Sequence, residues 1–92
     1  MYAVVINPIS GKGKGAALGT EVVGYLRRCK EDYVIVSATN ATDLLQNLKT
    51  LIETTNIDGI IAVGGDGLVH LVLQVAAPNS IPFNVVPAGT GN

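Results

Sequence analysis

Tryptophan is absent from this chain, cysteine occurs once, and aromatic residues make up 4% of it. A single cysteine excludes an internal disulfide framework and any cysteine-cluster metal site. Charge is scarce as well. Charged residues are 14% of the 92, against roughly 25% in ordinary soluble domains. The net charge of −1 leaves no basic footprint for nucleic acid. No apolar run reaches the ~18 residues of a membrane span. The opening segment "MYAVVINP" lacks the basic start and long apolar core of a signal peptide. These absences together point to a reducing, cytoplasmic setting.

What is abundant is aliphatic. Hydrophobic residues make up 48% of the chain, enough for one small domain. A domain of this size buries only about 60–65% of its unfolded surface, so the apolar excess reads as a sheet that expects more protein around it. Tyr2 to Ile6 is a short β-branched run, a buried strand. The pattern then predicts a helix from about Ala16 to Lys30, with Leu18, Val22, Leu26 and Cys29 on one face and Val23 and Tyr25 widening it. On this reading Cys29 is a core residue, not a reactive thiol. "YVIVSA" is the second strand. Asn40 is a good N-cap for a second helix, with Asp43 in its first turn, and Leu44, Leu45, Leu48, Leu51 and Ile52 form its apolar stripe. "IDGIIAV" is the third strand. The helix from Leu68 to Val75 is apolar on most sides and is predicted to be largely buried, with His70 and Gln74 on its one polar face. "APNSIP" is a turn and "IPFNVV" the fourth strand. There is no internal repeat.

Alternating strands and helices imply right-handed crossovers and a parallel sheet. Parallel strands are buried on both faces and read as continuous apolar runs. They also place all their carboxyl ends along one edge, where open α/β sheets bind ligands. Four segments leave that edge: "NPISGKGKG", "SATNAT", "GGDG" and "PAGTGN". They hold 8 of the 11 glycines. Glycines let a backbone approach a bulky, acceptor-rich group, and backbone N–H groups at helix starts favour anions, so phosphate is the natural ligand class. The plainer alternative is that glycine only makes tight strand-to-helix turns. A Walker loop is excluded, because neither Lys12 nor Lys14 is followed by Ser or Thr. The dinucleotide pattern matches Gly11, Gly13 and Ala16, but Val36 to Thr39 supply no acid for a ribose at the end of the second strand.

"NPISGKGKG", "GGDG" and "PAGTGN", in this order and spacing and with Thr39 after the second strand, resemble the diacylglycerol kinase catalytic family. These lipid kinases include bacterial diacylglycerol kinases and the sphingosine and ceramide kinases. "GGDG" alone is shared with NAD kinases and phosphofructokinases; the trio is specific. The resemblance implies an ATP-binding portion of a lipid kinase that transfers the γ-phosphate to a lipid hydroxyl, with diacylglycerol as the first expectation. An NAD kinase-like small-molecule kinase and a non-catalytic nucleotide-binding module are the alternatives. It implies nucleotide contacts at Asn7, Pro8, Ile9, Ser10, Gly11, Thr39, Gly64, Gly65, Asp66, Gly67, Leu68, Val69, His70, Leu71 and Thr90, and the use of Mg²⁺. Two positions depart from the common family pattern. Leu68 stands where many members have Thr, and Leu71 stands where many have Glu.

The resemblance further implies that residues 1–92 form the N-terminal part of the nucleotide-binding domain. A C-terminal β-rich domain carrying the general base and a structural metal site is expected beyond residue 92. The chain alone is therefore expected to be inactive, to associate, for example as a homodimer, and in the whole enzyme to meet its lipid peripherally at a membrane surface. Physical roles follow. Gly64, Gly65 and Gly67 let the backbone pass close to the triphosphate, Ser10, Thr39 and Thr90 offer hydroxyls, and Asn7 offers an amide. Lys12 and Lys14 are more naturally solvated loop lysines. Asp66 is read in two ways. As the catalytic candidate it holds Mg²⁺, directly or through water, or orients the acceptor hydroxyl; as a structural residue it caps the Leu68 helix. The other acids are placed on helices or at the opposite ends of strands. The predicted fold is an open parallel α/β sheet, Rossmann-like, with helices on both faces and strand order 2-1-3-4. That order sets the Asn7 and Gly64 loops side by side at a switch point.

Overall fold

The computed structural model describes residues 1–6 and 14–87. Four strands alternate with three helices: β1 (Tyr2–Ile6), α1 (Lys14–Arg28), β2 (Tyr33–Val36), α2 (Ala41–Thr54), β3 (Gly59–Gly64), α3 (Asp66–Ala76) and β4 (Phe83–Pro87). All pairings are parallel and the order is β2-β1-β3-β4, as the pattern predicts. Val4 lies beside Ile35 and Ile61, and Val63 beside Val86, so each strand contributes alternate residues to the two faces.

The faces are covered unequally. Ala3, Val5, Val36, Ile60 and Ala62 pack against Leu44 and Leu48 of α2 and Leu68, Val72, Val75 and Ala76 of α3. On the other face, among the described residues, Val4, Ile6 and Val63 meet α1 through Leu26 with Leu18 and Val22. Gly19 permits this approach: a Cβ there would stand 2.4 Å from Ile6 Cδ1. The crossing from β1 to β2 runs over one face and the crossings from β2 to β3 and from β3 to β4 over the other. Chain direction therefore reverses between β1 and β3, which makes their carboxyl ends the switch point.

Single-helix cover corrects two expectations. Tyr25 is 61% exposed and Cys29 is exposed. The helix ends at Arg28, Cys29 falls beyond its last residue, and Tyr25 stands on a flank with no second helix beside it. α3 also differs from its reading as largely buried. Its inner side is buried, yet Leu73 is 43% exposed. α1 and α3 end alike. Lys30 and Ser80 take left-handed backbone, φ 59° and 54°, while the next N–H reaches back to Leu26 O (2.9 Å) and Ala76 O (3.0 Å) respectively. These are Schellman stops that usually employ glycine.

Candidate functional site

The site is built from the turns that leave the carboxyl edge. At the β3–α3 turn the strand ends on Gly64, Gly65 caps the helix in extended backbone (φ −102°, ψ −166°), and Asp66 is the first helical residue. Gly65 O accepts from Leu68 N and Val69 N, both at 3.1 Å. Gly65 has no side chain to cap with, and no side-chain cap bond forms. The amides of Asp66 and Gly67, first in the helix, have no intrahelical acceptor and point to the edge. Among the described residues nothing accepts from these amides, and the helix start is a positive dipole end.

The three glycines of this turn have different reasons to be glycine. A Cβ on Gly64 would lie 2.7 Å from Leu68 Cδ2, so Gly64 serves the packing of Leu68 beneath the turn. A Cβ on Gly65 or Gly67 would meet nothing within 4 Å, and neither residue has positive φ. Neither crowding by the described residues nor backbone geometry calls for glycine at 65 or 67. The space above them is open among the described residues.

Asp66 is exposed, and its carboxylate has no hydrogen bond or ion pair among the described residues. The structural alternative for it is thereby corrected: the helix begins one residue earlier than a cap at 66 requires, and Asp66 occupies the first turn. Its negative charge is favoured there by the dipole and free to meet a cation. Along α3, Leu68 is buried, Val69 and Leu71 are half-buried and His70 is exposed. Leu71 packs against the core of the α2–α3 face. Leu68 and Leu71 thus belong to the packing under the turn, and His70 to its outer surface.

At the β2–α2 turn Thr39 is exposed. Asn40 caps α2 as predicted: its Oδ1 accepts from Asp43 N at 2.8 Å and its Nδ2 donates to Asp43 Oδ2 at 3.0 Å. Asp43 is on a helix, but in the first turn after β2, so it stands on the ligand edge with Asp66. Asp58 is at the opposite edge, paired with the Met1 ammonium. Among the described residues no three His, Cys, Asp or Glu side chains come together as a metal cluster. Asn7, Pro8, Ile9, Ser10, Gly11, Lys12 and Thr90 lie outside the described residues.

A parallel α/β sheet with a switch point of this kind is an architecture in which ligands bind at the carboxyl edge. Comparison with known proteins narrows the class. Residues 1–92 match the family described as the diacylglycerol kinase catalytic domain, and the chain belongs to that family of lipid kinases. It is 34% identical over 86 residues to the diacylglycerol kinase of Mycobacterium tuberculosis (strain ATCC 25618 / H37Rv), covering 94% of the chain and 28% of that protein. It is 38% identical over 93 residues to a ceramide kinase of Oryza sativa subsp. japonica, covering 96% of the chain and 15% of that protein. With sphingoid long chain base kinase 4 of Schizosaccharomyces pombe the identity is 28% over 98 residues, covering 99% of the chain and 21% of that protein. The chain therefore spans little more than a quarter of the first of these relatives and less of the others.

Proposed function

We propose that this chain is the ATP-binding portion of a lipid kinase, most naturally one that phosphorylates diacylglycerol, and that the β3–α3 turn receives the phosphates. The observation that carries this reading is the open space at Gly65 and Gly67, glycines without a reason in the described fold, at a helix start that has no side-chain cap. Phosphoryl transfer asks a protein chiefly for positioning and charge neutralisation. The amides of Asp66 and Gly67 bind and orient phosphate oxygens. Mg²⁺, when bound, supplies neutralisation of phosphate charge, and the carboxylate of Asp66, which has no partner among the described residues, is the group that would hold it, directly or through water. Thr39 offers a hydroxyl on the same edge, and in sequence Asn7 to Gly11 follow β1 and Thr90 follows β4. His70, on the outer surface of α3, walls the nucleotide rather than serving as a base.

Acceptor binding and the general base are assigned to the remainder of a longer, two-domain enzyme. That enzyme works from the cytoplasm and meets lipid at the membrane surface; among the described residues no helix is long and apolar enough to cross a membrane.

The test is transfer of labelled γ-phosphate from ATP with Mg²⁺ by the whole protein, with micellar diacylglycerol, ceramide, a sphingoid base and NAD as separate acceptors. Phosphatidic acid is the expected product. Labelled NADP in its place would overturn the lipid assignment, and ATP binding without any product would reduce the protein to a nucleotide-binding module. Residues 1–92 alone should bind ATP weakly and form no product.

A further inference from the structure

The β3–α3 turn, from Gly64 to Leu68, is pinned at both ends and open between them. Leu68 makes both pins. Its side chain lies over the end of β3: Cδ2, Cβ and Cγ stand 2.7, 3.3 and 3.6 Å from where a Cβ on Gly64 would be. Its N–H donates to Gly65 O at 3.1 Å. Leu68 is 5% exposed and Gly64 is buried. Between the pins Asp66 and Gly67 are exposed.

A glycine-rich turn is by itself a poor platform for a ligand, because glycine loses more conformational freedom on ordering than any other residue. Donors serve an anion best when they are held in place before it arrives. No side-chain cap holds this helix start, and Gly65 and Gly67 have no side chains with which to fix themselves. What fixes them lies beneath. Leu68 belongs to the buried cluster of the α2–α3 face, with Val72 and Val75, so it ties the turn to the sheet. It fills the volume that a side chain at position 64 would need, and so sets where β3 stops and the turn begins.

On the reading that this turn receives the phosphates of ATP, we infer that Leu68 is a positioning residue for them. Buried under the turn, it acts through Gly64 and Gly65 and not by contact with the nucleotide. It determines where the amides of Asp66 and Gly67 stand when the phosphate arrives. Val72 supplies the comparison. It lies one turn further along α3 and is fully buried in the same cluster, but it is remote in sequence from the glycines. A core residue of that kind contributes stability alone. Leu68 contributes stability and phosphate affinity together.

The test uses the whole protein, with urea midpoints for stability and titration calorimetry with ATP and Mg²⁺ for affinity. Leu68→Ala and Val72→Ala should both lower the midpoint, since both remove buried methyl groups. The ATP affinity of Leu68→Ala should fall roughly 10-fold, within the ~100-fold that a misplacement of about 1 Å can cost in rate. That of Val72→Ala should stay at the parent's. Leu68→Met, which keeps volume and reach, should keep the affinity. Gly64→Ala should lower the midpoint of the parent but raise that of Leu68→Ala and restore part of its affinity, because the nearest Leu68 atom then left is Cβ, at 3.3 Å. If Leu68→Ala does not fold, Leu68→Val, which has no Cδ, takes its place. Affinity that responds alike in the Leu68 and Val72 variants would make Leu68 a core residue only and overturn the proposal, as would a Gly64→Ala that lowers both midpoints. A parent protein that binds no ATP would instead overturn the reading of the turn as a phosphate site, and the role of Leu68 with it.

Discussion

Two helices, α2 and α3, begin on the same edge of the sheet and begin in opposite ways. α2 is closed by its own chain: Asn40 caps the Asp43 amide and holds the Asp43 carboxylate in return. α3 is capped by a glycine that brings no side chain, and the residues around it leave open space. Both turns are short and polar. One has satisfied itself and the other, among the described residues, has not. The contrast teaches that polar loops at a carboxyl edge are not equivalent. A helix start advertises a phosphate site only where no local side chain has taken the donors first.

The largest expected effect tests the open side. Asp66→Ala in the whole protein should lower turnover by at least ~100-fold, about 2.7 kcal/mol in the barrier, if the carboxylate works through a metal. Its unfolding midpoint should stay close to the parent's, because Asp66 neither caps α3 nor holds a hydrogen bond among the described residues. Turnover near the parent's would leave Asp66 as an acid that merely suits a helix start, and the two turns would differ in capping alone.

Next in size is Gly64→Ala. The added Cβ would stand 2.7 Å from Leu68 Cδ2 and 3.3 Å from Leu68 Cβ, and Leu68 is only 5% exposed. Overpacking of this kind costs about 1–3 kcal/mol, readable as a lower urea midpoint at constant slope. An unchanged midpoint would show that Leu68 gives way freely and that Gly64, too, is held for a ligand.

The two turns were unequally legible in the sequence. Asn40 and Asp43 three residues apart are a local signal, and the cap forms as that spacing requires. The strands and their order were legible because β-branched runs and the crossover rule leave few alternatives. The first residue of α3 was not: Gly-Gly-Asp-Gly places the cap at Gly65 or Asp66 with little to separate them, and only the extended backbone of Gly65 decides. Nor does a glycine count separate Gly64, which answers to Leu68 beneath it, from Gly65 and Gly67, which answer to nothing in the described fold. Tyr25 and Cys29 were misplaced for a related reason. Helical periodicity reports which residues share a face, not whether a neighbouring element covers it, and among the described residues α1 is the one helix on its side of the sheet.

The closed side is tested by Asn40→Ala. Loss of the cap should cost about 1 kcal/mol of stability, with the ATP affinity of the whole protein retained, because the Asn40–Asp43 pair is complete within α2. Affinity that falls along with stability would make the β2–α2 turn part of the same receiving surface, and the contrast between the two helix starts would have to be redrawn.

The smallest expected effect on stability carries the sharpest sign. Gly67 is the second residue of α3, has no positive φ, and has nothing within 4 Å of where a Cβ would stand. Alanine is the better helix former by about 1 kcal/mol in a helix interior, and by less so near the end. Gly67→Ala should therefore raise the thermal midpoint by the equivalent of a few tenths of a kcal/mol, on the order expected for an end position, whereas Gly64→Ala lowers it. The same substitution puts a methyl group into the open space over the turn, so on the proposed function ATP affinity measured by titration calorimetry on the whole protein should fall while the protein becomes more stable. Opposite movements of stability and affinity are what a glycine kept for a ligand predicts. A midpoint that falls instead would mean that position 67 is glycine for the sake of the fold, and the open turn would then be no more than a tight one.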